Sequence, residues 1–489
     1  MSVNLESINK YEVVIGLEVH VQLSTKSKAF CYDSAQYGSS PNHNISPVSL
    51  GLPGALPRAN EEVIKYAVKL GLAVGSKINK FNFFDRKNYF YADLPKGYQI
   101  TQDNKPICKG GSIKVRLSDG TQKEVLLNRI HIEEDAGKSI HDVDDKYSLI
   151  DLNRAGVALL EVVTEPVISS GEEAGAYLFE LRKLVRYLNI CDGNMEEGSM
   201  RCDANISIRI KGDKKLGNRC EVKNLNSIKN VQRAIEHEIK RQVSLCEEGI
   251  YIDQNTLNFD ALTGITSVLR SKEMANDYRY FPEPDLLPLN LSDEFIEEIK
   301  KNMPALPEAL FHRFTTEFGL PEYDALVLTS DKETADYFID LTSAVSNYKA
   351  ASNWIMGTIR SYLNEKNIGF DKFPIPSAQI AKLINKVEAG EVNNNHAKDK
   401  VFVELLKQPE KELDSLLKEL DVLIDTKSTY VNEYILAAIN KFPEKVKEYH
   451  CGKKGVLGLF MGELMKISGG KIDPKNANQL LTNQLEKMK

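Results

Sequence analysis

The sequence predicts an α+β protein, with strands and helices mixed up to about residue 290 and helices alone beyond it. Three observations carry that expectation. Residues 11–23 alternate with the period of a strand: Val13, Ile15, Leu17, Val19, Val21 and Leu23 take one face, and Glu12, Glu18, His20 and Gln22 share the other. Strands and helices then interleave without the regular spacing of βαβ units, which argues against a doubly wound sheet. After the break at Arg279-Tyr-Phe-Pro-Glu-Pro-Asp-Leu-Leu-Pro288, apolar residues recur at helical spacing.

At 489 residues the chain is too long for one core, and about two to four domains are expected. With 42% hydrophobic and 27% charged residues, general disorder is excluded. A net charge of −6 excludes a wholly basic surface but leaves room for a local basic patch. The seven cysteines, from Cys31 to Cys451, form no C-x-x-C pair and read as reduced thiols. No signal-like start and no apolar run of membrane length are found, so a cytoplasmic protein without membrane attachment is expected.

In chain order, Leu50-Gly-Leu-Pro-Gly-Ala-Leu-Pro57 is a shaped loop, because Pro53 and Pro57 lack backbone donors. Residues 60–74 follow as an amphipathic helix, and 125–134 and 205–210 read as strands. Asn224 to Ser227 offer caps for a helix to about Cys246, with Ile228, Val231, Ile235 and Ile239 on one face. Helices are further expected at 293–302, 332–344, 347–364 and 377–388. Residues 441–489 hold ten lysines against five acidic residues, a net +5, with Gly452-Lys-Lys-Gly455 and Gly469-Gly-Lys471 among them. Such a tail suits phosphate backbones, although a solvated helical surface has the same composition.

Glu18 and His20 stand side by side on the first strand, a pair suited to a divalent metal or a proton transfer. On an isolated strand they would ordinarily be solvated surface. The pattern recurs, however. Arg129-Ile-His-Ile-Glu-Glu-Asp135 puts His131 and Glu133 on one face and Glu134 on the other, so strand phase favours Glu133 as the partner in chemistry. In Glu197-Gly-Ser-Met-Arg-Cys-Asp-Ala-Asn-Ile-Ser207, Asp203, Asn205 and Ser207 oppose an isoleucine face. Where these faces converge, Glu18, His20, Glu133 or Glu134, and Asp203 are candidates to hold Mg²⁺, with Arg154, Arg201 and Lys223 supplying charge for phosphates. Phe84 to Tyr98 sets Arg86, Lys87 and Lys96 among five aromatic rings, a composition that stacks bases. Gly137-Lys-Ser139 completes the tail of a phosphate-loop motif, but position 132 is isoleucine and the motif fails. No Gly-x-Ser-x-Gly elbow is present to seat a nucleophilic hydrolase.

Taken together, the chain resembles the B subunit (GatB) of the tRNA-dependent amidotransferases over essentially its whole length. The resemblance rests on Ile15-Gly-Leu-Glu-Val-His-Val-Gln-Leu23, Gly51-Leu-Pro-Gly-Ala-Leu-Pro57, Phe84-Asp-Arg-Lys-Asn-Tyr-Phe-Tyr91, Leu94-Pro-Lys-Gly-Tyr-Gln-Ile-Thr-Gln102 and His131-Ile-Glu-Glu-Asp-Ala-Gly137. Asp151-Leu-Asn-Arg154, Arg201-Cys-Asp-Ala-Asn205 and Val222-Lys-Asn-Leu-Asn226 complete it. It implies a cradle of mixed, largely antiparallel sheet over 1–291, a helical domain over 292–415 and a basic helical tail over 416–489 that binds the tRNA body. It implies ATP-dependent phosphorylation, with Mg²⁺, of the side-chain carboxylate of Glu-tRNA(Gln) or Asp-tRNA(Asn). Amidation would follow, by ammonia from the glutaminase (A) member of the complex, with the small C member as clamp.

By the same resemblance Glu18, His20 and Glu133 hold the metal, Lys87, Glu133, Arg154 and Asp203 serve the reaction, and Arg201, Asn205, Lys223 and Asn224 bind the nucleotide. A non-catalytic adaptor that only delivers tRNA is the competing reading. Many members of the family carry two cysteine pairs for a structural zinc where this chain has Cys31-Tyr-Asp33 and Ser46-Pro-Val-Ser49, so no zinc is expected.

Overall fold

A computed structural model describes residues 5–141, 143–271, 278–424, 428–472 and 474–488. It divides into two compact units, Met1–Leu306 and Pro307–Lys489.

The first unit is α+β, as expected. Its ten-stranded sheet runs, in spatial order, Ile265–Ser271, Asn255–Asp260, Cys220–Leu225, Met200–Ile210, Tyr11–Gln22, Ala158–Thr164, Gln122–Glu134, Cys108–Lys109 and Lys77–Ile78, with Ser112–Arg116 also on Gln122–Glu134. Pairing is antiparallel except between Cys220–Leu225 and Asn255–Asp260. Side-chain parity fixes which face is buried: Ile15, Leu17, Val19 and Val21 join Ile206, Ala204 and Cys202 in the core. Over that face lie the helices Gly171–Tyr187 and Ile228–Glu247, started by Ser170 and Ser227, whose side chains accept from the N–H of Glu173 and Asn230. Asn60 caps Glu61–Ala73 in the same way.

The helix Asp293–Lys301 belongs to this unit, because Phe295, Ile296 and Ile299 pack on its core. The first unit therefore extends past residue 291, where composition alone had suggested a boundary.

The second unit is helical in its described residues. The helix expected at 347–364 is continuous but not uniform: Tyr348–Asn353 and Arg360–Lys366 flank a π-helical stretch, Trp354–Ile359, that buries Trp354, Ile355 and Ile359. Toward the C-terminus a separate apolar cluster gathers Ile435, Ile439, Phe460, Leu464, Leu481 and Leu485. No helix among the described residues is long and apolar enough to cross a membrane.

Candidate active site on the polar face of the sheet

The sheet leaves a polar face opposite the two long helices, and strand register decides which side chains meet there. Arg201, His20, Glu161 and His131 form one transverse row, each directly opposite the next on successive antiparallel strands. One pleat along, Asp203, Glu18, Val163 and Arg129 form the next row. Directly opposed residues lie about 4.5–5.5 Å apart at Cβ, whereas i and i+2 on one strand are separated by about 6.6 Å. The row across the strands is therefore the unit that concentrates ligands.

That geometry changes the expected ligand set. His20 Nε2 lies 3.3 Å from Glu133 Oε1 and 3.5 Å from Glu161 Oε2. Together the three residues present donor atoms within 4.8 Å of one another. Glu18 does not join them. Its Oε1 accepts from Asn205 Nδ2 at 3.1 Å, and it faces Asp203 across the strand pair. Glu161 occupies the place expected of Glu18, because the cross-strand neighbour of His20 is closer than its neighbour along the strand. Sequence reasoning missed Glu161, although a signal existed: it is the one charged residue in Ala158-Leu-Leu-Glu-Val-Val-Thr164, an otherwise buried apolar run.

Behind the three lies His131, whose Nε2 is 3.4 Å from Glu161 Oε2 and 3.8 Å from Glu133 Oε2. Its Nδ1 is buried without a partner. Burial opposes protonation of both imidazoles, but hydrogen bonds to Glu133 and Glu161 lift His20 to about 10, and the Glu161 charge leads the effects that lift His131 to about 9. Glu133 drops to about 2 against the opposing effects of burial and of Glu161, through its hydrogen bonds to the two histidines. Glu161 moves in the same direction: burial opposes the shift, and the His131 charge is the main lowering influence. The two carboxylates thus hold positive charge between them, and a divalent cation competing for the same lone pairs would displace the His20 proton. The donor set, one imidazole and two carboxylates braced by a second imidazole, fits such a cation.

Glu134 points to the opposite face, as strand phase predicts. Its carboxylate accepts from the Ile100 N–H at 2.9 Å and pairs with Lys96, so it braces the neighbouring strand. Lys87 instead approaches the cluster, with Nζ 4.9 Å from the centre of the Tyr278 ring. Burial disfavours its charge, but Glu133 and Glu161 more than offset this and raise its pKa.

Arg201 and Arg154 both flank Asp135, at 2.6 Å and 3.4 Å, and Arg154 also donates to the carbonyls of Ala136 and Gly137. Lys223 bridges Asp203 and Glu221 at 2.5 and 2.8 Å. Asn224 is not part of the group. In a left-handed conformation (φ 64°), it turns outward and donates to Asn258 Oδ1 at 2.5 Å.

A cleft of about 450 Å³ opens on the same face beyond Glu18, over Val14, Gly16, Asn205 and Ser207 and against Pro166 and Leu216. Gly16 leaves its floor bare, since a Cβ there would meet nothing nearer than Pro166 Cα at 3.9 Å. Burial, followed by the charges of Glu161, Glu221 and Asp203, raises the pKa of Glu18 at the inner end of this cleft.

The model of the GatB/GatE catalytic domain matches residues 13–297, and that of the GatB domain matches 336–485. The chain belongs to the GatB family. It is similar over its whole length to the B subunit of the aspartyl/glutamyl-tRNA(Asn/Gln) amidotransferase of Thermodesulfovibrio yellowstonii, at 45% identity over 96% of this chain and 98% of the relative. The corresponding B subunits of Syntrophotalea carbinolica (45%, covering 98% and 99%) and Pelagibacter ubique (46%, covering 98% and 97%) align equally fully. The stretch matched by the GatB/GatE catalytic-domain model contains every residue of the site described above.

In the loop where many GatB chains carry zinc cysteines, Cys31, Asp33 and Ser49 gather around a lysine. Fully buried Lys28 donates from Nζ to Asn44 O at 2.7 Å, Ser49 Oγ at 3.3 Å and Leu152 O at 3.4 Å. Ser49 Oγ in turn contacts Asp33 and lies 3.4 Å from Cys31 Sγ. Burial pulls the Lys28 pKa down against the neighbouring negative groups.

Proposed function

We propose that this chain is the catalytic GatB component of an aspartyl/glutamyl-tRNA amidotransferase. It would use ATP to phosphorylate the side-chain carboxylate of glutamate or aspartate carried on a mismatched tRNA. The γ-phosphoryl group passes to a carboxylate oxygen, ADP leaves, ammonia attacks the activated carbonyl, and inorganic phosphate departs with that oxygen. A carboxylate alone is a poor acylating group, and the mixed anhydride makes amide formation accessible.

The observation that carries this reading is the His20–Glu133–Glu161 cluster, set between a cleft that ends at Glu18 and a lysine poised on the other side. His20, Glu133 and Glu161 would hold Mg²⁺, which when bound offsets charge on the transferring phosphoryl group. His131 keeps both carboxylates oriented, and Lys87 attracts the substrate carboxylate. Arg154, Arg201 and Lys223 neutralise phosphate charge at the rim, with Asp203 and Asp135 fixing their positions. The cleft over Gly16 takes the nucleoside of ATP, with Asn205 and Glu18 at its inner end. The Cys31–Ser49 loop carries no zinc; the Lys28 ammonium supplies its central positive charge.

The names of the relatives support assembly with the other members of the amidotransferase complex: the glutaminase (A) member as ammonia source, and the small C member. Misacylated tRNA would be the RNA partner, with the basic 416–489 segment on the tRNA body. The test is a reconstituted complex supplied with ATP, glutamine and Glu-tRNA(Gln). Glu133→Gln should abolish ADP and amide formation while the partner's glutaminase activity persists. Continued ADP formation in that variant would overturn the reading, and a wild-type complex that consumed no ATP would favour the tRNA-delivery adaptor instead.

A further inference from the structure

A second cavity, of about 580 Å³, opens at the end of the sheet between the two long helices. It is lined by Arg182 and Arg186 of Gly171–Tyr187 and by Lys229 of Ile228–Glu247, with Asn194 and Asn226 from the adjoining loops. Arg182 and Arg186 are four residues apart and so share a helix face. Arg182 Nε is buried and has no hydrogen-bond partner. Its aliphatic stem is clasped by the loop at Gly193 (φ +65°), where a Cβ would lie 2.7 Å from Arg182 Cγ. Arg186 and Lys229 are exposed and make no ion pair among the described residues. Ser227 caps only the Asn230 N–H, which leaves the N–H groups of Ile228 and Lys229 without an intrahelical acceptor. Asp192 also lines the cavity, but its Oδ1 already accepts from the Asn194 N–H at 2.8 Å.

Basic residues near a helix C-terminus ordinarily complement the helix dipole, and that accounts for Arg186. It does not account for the orphaned donor of Arg182, for Lys229 on a different helix, or for the cavity they line. Position supplies the rest. Cys202 pairs with Leu225, so Arg201 and Asn226 lie at the same end of the sheet. The Gly16 cleft lies at the other end, beyond Asn205 and Ser207. From Ser207 to Met200 the strand spans roughly 23 Å, with the His20 row toward the Met200 end. A nucleotide seated at one end and a second phosphate-bearing substrate arriving from the other would meet at the cluster.

We infer that this cavity binds a backbone phosphodiester of the RNA substrate near its aminoacylated 3′ end. The inference rests on the amidotransferase reading and adds the RNA-phosphate seat to it. The planar guanidinium groups of Arg182 and Arg186 would grip the phosphate oxygens, with Lys229 and the free helix N–H groups completing the cradle.

The test uses the full chain in its complex and measures binding of Glu-tRNA(Gln) as a function of KCl, alongside the KM for ATP. The double variant Arg186→Gln/Lys229→Gln should weaken tRNA binding about tenfold and reduce the slope of log K against log[salt] by about one. Arg182→Lys, which keeps the stem and the charge but loses the fork, should fall between wild type and the double variant. Unchanged affinity and slope in the double variant would overturn the phosphodiester assignment while leaving the amidotransferase reading intact. A defect confined to the KM for ATP would overturn it too, by making the cavity a free-nucleotide site. Failure of the wild-type complex to bind tRNA would instead defeat the amidotransferase reading itself.

Discussion

Glu161 stands directly opposite His20 across an antiparallel strand pair, with Oε2 3.5 Å from His20 Nε2. On its other side it opposes His131 at 3.4 Å, so one carboxylate links two imidazoles on separate strands. The expected consequence is that Glu161→Gln, nearly isosteric, reduces ATP consumption by about a hundredfold, since ligands and their braces typically govern metal affinity and activity on that scale. Raising Mg²⁺ should partly restore the rate, and a titration of rate against Mg²⁺ reads this directly. Wild-type Mg²⁺ dependence in the variant would remove Glu161 from the ligand set.

Adjacent residues with opposite orientations offer a sharper comparison. Glu133 faces the cluster, while Glu134 faces Lys96 and the Ile100 N–H. Glu134→Gln should cost about 1–3 kcal/mol of stability, by weakening a buried charge-assisted bond, with little change in the Mg²⁺ requirement. Glu133→Gln should do the reverse, because removing one of two apposed carboxylates relieves repulsion in the metal-free protein. Chemical denaturation and Mg²⁺-dependent ADP formation on both variants separate the two roles.

Gly16 tests the nucleotide cleft. Its Cβ position is open, and a strand tolerates larger side chains, so Gly16→Leu should fold normally. The side chain would fill the cleft floor and raise the KM for ATP about tenfold or more, on the order of 1.4 kcal/mol or above. Affinity for tRNA should not move. A normal KM for ATP would place the nucleotide elsewhere.

The buried ammonium of Lys28 gives a prediction in stability and in pH. Lys28→Met strands the carbonyls of Asn44 and Leu152 and should cost about 2–4 kcal/mol. Its pKa is lower in the folded chain than in the unfolded one, so the unfolded state binds the extra proton. Stability contributed at this site therefore rises with pH between the folded value and the ordinary lysine value of about 10.4. The wild type minus Lys28→Met difference in unfolding free energy, followed through that window, should increase. A flat or falling difference would refute the assignment. Metal analysis of the purified chain should find no stoichiometric zinc.

Much of this architecture is legible in residue order. Strict alternation from Val13 to Val21 fixed the buried face, and the opposite phases of Glu133 and Glu134 fixed their orientations before any partner was known. What alternation does not contain is register. Nothing in the order of residues says that Glu161 lies beside His20, or that Arg201 reaches Asp135, because both depend on how separate strands align. Glu18 was attractive as a metal ligand because it is two residues from His20, yet the pleat sets those side chains further apart than cross-strand neighbours. Asn224 belongs to a promising motif, but its left-handed backbone turns it toward Asn258. Lys28 gave no signal at all, since a lysine in a loop is ordinarily solvated.

The central claim is that phosphoryl transfer activates the substrate's own carboxylate, and oxygen tracing tests it most directly. Glu-tRNA(Gln) carrying ¹⁸O in its side-chain carboxylate would be converted by the reconstituted complex with ATP and glutamine, and the released phosphate analysed by mass spectrometry. Transfer of one ¹⁸O into phosphate for each amide formed is the predicted result. Phosphate free of ¹⁸O while amide accumulates would mean that ATP is cleaved by water, and would contradict the account.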